Sequence, residues 1–129
     1  MDAHDLVLVG LISLALGAVS GFALLMAVDS PGKLRAVGII VPGRIRQVHM
    51  DWIIMGVVMA VVGLAVPELS TWTVSLVMFG GIVNPATFIP MAFSKTVVTT
   101  KWFQTISYIS FTSLSLGLIL VVIEYLMAG

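Results

Sequence analysis

The segment RIRQVHMDWIIMG, residues 44–56, decides how this chain is read. Three charged residues and a histidine lead directly into an apolar run that continues to Val66 and is stopped by Pro67. A helix needs roughly 20 apolar residues to cross the hydrocarbon of a bilayer. Gly43 to Val66 has that length, with its charges gathered at the entrance. The expected element is therefore a membrane-spanning helix with a polar rim. His49 stands just inside that rim, either reaching out to the headgroups or holding a ligand.

The same criterion applied to the rest of the chain gives three more spans, Leu6 to Val28, Thr71 to Phe93 and Trp102 to Met127. The connections are one longer loop, Asp29 to Pro42, and two short ones. With no repeat or linker, the expected architecture is all-α, a single integral membrane four-helix domain covering residues 1–129. Composition agrees: 60% of the residues are hydrophobic and 9% charged, whereas a water-soluble domain carries about a quarter charged residues. Lipid is the solvent these numbers imply. The formal net charge is zero, so nothing favours a nucleic-acid partner, and the absence of cysteine excludes disulfides, iron–sulfur clusters and thiolate metal sites. The start, MDAHDLVLVG, lacks the positive region of a cleaved signal, so the first span is expected to be retained.

Charge placement orients the bundle. Lys33, Arg35, Arg44 and Arg46 precede the second span, and Lys95 and Lys101 lie between the third and fourth. The other side carries Asp2, Asp5, Glu68 and Glu124 and no basic residue. The positive-inside rule then places the basic loops in the cytoplasm and both termini outside, as in a bacterial-type inner membrane.

Small residues mark the helix faces. The first span has Gly10, Gly17 and Gly21 on one stripe; steps of three and four from His49 along the second give Trp52, Ile53, Gly56, Ala60 and Gly63. A strip of this kind is either a seam where two backbones approach closely or a flat wall for a planar ring. In the third span, GGIVNPATFIP contains Pro85, which frees the carbonyl of Gly81. Beside it is Asn84, the only asparagine of the chain. Asn84 is either a satisfied amide at a bend or a polar group inside a substrate pocket. The hydroxyls of TISYISFTSLSLG in the fourth span mostly serve their own helix. Tyr108 among them reads as an interfacial belt residue or as a pocket donor.

A neutral imidazole ligates zinc and haem iron. Zinc would require three or four donors, and the basic side offers only His49, Asp29 and Asp51. Haem requires one axial nitrogen, a flat apolar slot and cations for its propionates. His49 supplies the nitrogen, Gly56 and Ala60 the slot with Trp52 and Ile53 at its rim, and Arg44 and Arg46 head the cations on the same side. His4 lies at the opposite membrane face, about 30 Å away, so both histidines cannot bind one iron. The sixth position is either open or filled by a methionine such as Met55 or Met59.

These residues resemble the membrane-bound styrene oxide isomerases. In that family the second helix has an arginine shortly before a ligand histidine, a glycine seven residues after it and a proline eleven further on. Here RIRQVH, Gly56 and the proline of VPEL, Pro67, keep that frame, with Leu69 and Gly80 also in place, over roughly residues 44 to 80. The resemblance implies haem b held by His49, a homotrimer with haem between subunits, and isomerisation of a small hydrophobic epoxide to a carbonyl compound with ferric haem as Lewis acid. Asn84 and Tyr108 are the candidate catalytic residues. The chain departs from the family at Met55, where an asparagine is usual, and in NPATFIPMAF, which lacks the family's aspartate and tyrosine. A haem-binding sensor or electron-transfer subunit, and an accessory protein without haem, stay as alternatives. Homo-oligomerisation is expected independently, because four helices bury little against one another and the glycine stripes offer seams.

Overall fold

The computed structural model describes residues 1–128. Helix α1 spans Ala3–Asp29, the short α2 Pro31–Ala36, α3 Gly43–Ala65, α4 Thr71–Phe93 and α5 Lys101–Ala128, with a 3-10 turn at Val97–Thr99 before α5. There is no strand among the described residues. The four long helices are each long and apolar enough to cross a membrane. Large apolar side chains stay exposed along them, among them Leu11, Phe22, Val61 and Ile119, as a lipid-facing surface requires. The expected four-helix bundle is therefore present, with each predicted span inside an observed helix or within one residue of its end. One element differs. The stretch expected as a plain loop contains α2, because Pro31 at its first position has a backbone angle already suited to a helix.

Consecutive long helices pack as neighbours, α1 on α3, α3 on α4 and α4 on α5. This up-and-down path brings α2 and the α4–α5 connection, with all six basic residues, to one end and both chain ends to the other. The end with the basic residues is closed by a latch. Ile40 and Val41 both donate their backbone N–H to the carbonyl of Ala92, at 2.9 and 3.0 Å. Carbonyls in the last turn of a helix have no partner within it, and here the long connection satisfies one of them. Leu34, Ile39 and Ala92 pack beneath.

The opposite end is better filled. Leu6, Met59, Val66, Val74, Val77 and Leu114 belong to one buried cluster there. Asp2 caps α1 and shares a reciprocal capping arrangement with Asp5. The Asp5 backbone N–H bonded to its carboxylate holds Asp2 below the usual aspartate range. At the start of α4, Ser70 caps its own helix by accepting from the Thr73 N–H. Glu124, late in α5, then accepts from the Ser70 backbone N–H at 2.7 Å and from the hydroxyls of Ser70 and Thr73. Thr73 is 1% exposed, so its hydroxyl depends on protein partners. Replacing Glu124 with alanine is expected to cost about 1–2 kcal/mol, read as a lower unfolding midpoint in detergent. An unchanged midpoint would mean that water replaces the carboxylate without loss.

Candidate functional site

The small-residue strip of α3 meets the glycine stripe of α1 backbone to backbone. A Cβ placed on Gly10 would lie 2.7 Å from both the Ala60 nitrogen and the Gly56 oxygen, and one on Gly56 would lie 2.8 Å from the Gly10 oxygen. Gly63 meets Ala3 and Val7, and Ile53 fills the space over Gly17. Of the two readings open to this strip, the structure takes the seam. Gly56 and Ala60 are buried against α1, and no planar ring fits between the two helices. The strip expected to offer a slot at Gly56 and Ala60, with Trp52 and Ile53 at its rim, is packed against α1 at Gly56 and Ala60.

One turn nearer the basic end, the seam opens to admit a side chain. Gly21 has no Cβ, and the ring of His49 sits over it, with Cε1 3.3 Å from the position a Cβ would take. Nδ1 of His49 lies 2.6 Å from the carbonyl oxygen of Gly17 and 3.1 Å from Ser20 Oγ. A carbonyl can only accept, so Nδ1 carries the hydrogen and donates it. Ser20 spends its own proton on the same carbonyl, at 2.7 Å. In the neutral ring the lone pair is then on Nε2. Nε2 has no hydrogen-bond partner among the described residues and is not sealed inside the chain. A ring fixed through Nδ1–H to a backbone carbonyl, with Nε2 free, is the usual arrangement of a metal-binding histidine. It equally suits a side chain that only ties α3 to α1.

The neighbours of His49 are sparse. Arg44 is half-buried and donates to Gln47 Oε1 at 2.7 Å, while Arg46, three residues before His49, is exposed. Trp52 is half-buried on the following turn. His4 is exposed at the far end of the bundle. No group of three or more His, Cys, Asp or Glu side chains gathers to hold a metal ion among the described residues. A single unpartnered imidazole nitrogen is what this site offers.

The predicted catalytic residues lie elsewhere. Asn84 is 8% exposed, and its Oδ1 accepts from Ser110 across the α4–α5 interface. Gly80 against Leu114 and Gly117 against Val77 allow those helices this approach. Asn84 faces a cavity of about 410 Å3 bounded by α3, α4 and α5. Asp51 and Met55 border it from α3. Asp51 is two residues after His49, about 200° round the helix. So His49 faces α1, while the cavity lies on the other side of α3. Tyr108 is not in this cavity. It is 75% exposed and borders an open groove with Trp72 and Phe79 on the lipid-facing side of α4 and α5. Within one chain the structure brings His49 together with Ser20 and Gly17, and Asn84 with Asp51 and Met55, but not the two sets with each other or with Tyr108.

Asp51 is the residue that sequence reasoning undervalued, having been weighed only as a zinc partner. The available signal was its depth. It lies eight residues after Gly43, about 12 Å along the helix, on the face opposite His49. Comparison with protein families, with characterised proteins and with solved structures finds no match to this chain.

Proposed function

We propose that this chain is a haem b-binding integral membrane protein of the styrene oxide isomerase type. The observation that carries the reading is His49, whose Nδ1 is engaged by the Gly17 carbonyl while Nε2 keeps its lone pair and has no partner among the described residues. His49 would be the residue that holds the iron, through Nε2. Gly17 and Ser20 hold the ring plane, and Arg46 and Arg44 carry charge suited to propionates on the same side. Because α1 fills the strip below His49, the residues that would hold the group lie on the outer surface of the α1–α3 pair. A second copy of the chain would then have to cover it to keep water out, which accords with the trimer that the resemblance implies.

When bound, ferric haem would supply a Lewis acid for the oxygen of a small hydrophobic epoxide. The chain's own contribution is a fixed imidazole and an apolar surround. Asn84 would touch such a substrate only if its cavity faced the haem of a neighbouring copy.

Protein expressed with supplied hemin and purified in detergent is expected to show a Soret band and to convert an aryl epoxide to the aldehyde. A colourless preparation would sink the reading. A Soret band without aldehyde formation would reduce it to a haem-binding sensor or electron-transfer subunit.

A further inference from the structure

We propose that the cavity between α3, α4 and α5 binds a small organic cation, a protonated amine on an apolar skeleton, with Asp51 as its counter-ion. The volume, about 410 Å3, is in the range of small-molecule sites. Its lining has three components that converge on this ligand class. The first is charge. Asp51 makes no hydrogen bond and no ion pair with any described residue, although six cations lie at the same end of the bundle. An unpaired, half-buried carboxylate among apolar side chains is costly, and a monovalent cation seated beside it removes that cost. No basic residue borders the cavity, so an anionic ligand meets no opposite charge there.

The second component is aromatic. Phe88, Phe103 and Phe111 line the cavity, and ring faces attract an ammonium group once water is displaced. The third is a scarcity of other polar groups. Asn84 Oδ1 is already taken by Ser110, and the Thr87 hydroxyl donates to the Asn84 carbonyl at 2.7 Å. A metal ion would need several oxygen ligands and finds one carboxylate. The remaining lining, Met55, Met91 and Leu114 with the single hydroxyl of Ser107, suits a carbon skeleton rather than a hydrated ion. This site is across α3 from His49, and the inference does not rest on haem.

The rival occupant is a proton. A protonated Asp51 would leave the cavity neutral, and it would then accept amines and alcohols of equal shape alike. The test is calorimetric titration of the full chain in phosphatidylcholine nanodiscs, blanked against empty discs, with 2-phenylethylamine and with 2-phenylethanol at neutral pH. The amine is expected to bind at least about tenfold more tightly than the alcohol. In Asp51→Asn the two should come within about twofold of each other, with the affinity for the alcohol unchanged. Phe103→Leu should weaken the amine more than the alcohol. Equal binding of the two in the unaltered protein, binding of neither, or a preference that survives Asp51→Asn each overturns the proposal. The comparison in the unaltered protein decides even if a variant fails to fold.

Discussion

Protein carrying His49→Ala is expected to insert and fold but to emerge from expression with hemin without bound haem. The Soret absorbance should fall to the level of a mock preparation. The reason is the economy of the site: one nitrogen is available, and no second histidine or cysteine lies at that end of the bundle. The fold should survive, because the Gly17 carbonyl keeps its bond from Ser20 and the Gly10–Ala60 seam below is untouched. Losing the imidazole hydrogen bonds is worth about 1 kcal/mol. The truncation leaves a ring-sized gap over Gly21, so added imidazole should restore part of the absorbance. Ser20→Ala should retain haem and only loosen the ring. If His49→Ala keeps its full Soret band, the iron is held elsewhere. If the unaltered protein is colourless and His49→Ala merely unfolds more easily, His49 is a tie between two helices.

The second large effect concerns the seam. Gly10→Leu or Gly56→Leu is expected to separate α1 from α3 and to destabilise the protein by about 3 kcal/mol or more, the upper end for overpacked positions. A Cβ on either glycine meets backbone atoms at 2.7–2.8 Å, and backbone cannot step aside as a side-chain end does. The helices must therefore move apart, which also takes Gly17 away from His49. Gly32→Leu is the control. A Cβ there has nothing within 4 Å, and its effect should stay within about 0.5 kcal/mol. Thermal unfolding in detergent reads all three, and hemin retention should follow the seam variants. A Gly56→Leu protein that melts normally would mean that α1 and α3 are held by something other than this contact.

The spans were readable in the sequence because bilayer thickness acts on every residue in them. Val66 and Pro67 end α3 where the apolar run ends, and the third span agrees with α4 at both ends. The site was less readable, for a reason that Gly56 and Ala60 make plain. A wall for a planar ring and a seam for a second helix both require small residues, so one strip satisfies either. Only the position of Gly10 on another helix decides between them. Tyr108 posed the same difficulty: a ring with a hydroxyl suits a pocket or a lipid interface, and its wide exposure favours the lipid-facing surface. Asn84 was legible as a polar group at depth, but its partner was not, since Ser110 reaches it from another helix. The long connection hid α2, whose six residues are too few to show a period.

The bond from Glu124 to Ser70 joins residues 54 apart in the chain. During synthesis α4 enters the membrane well before its partner exists, and its first turn stays without that clasp until residue 124 has cleared the ribosome. The bundle is thus committed late. Up to that point the start of α4 relies on its own capping serine and on the packing of α4 against α3.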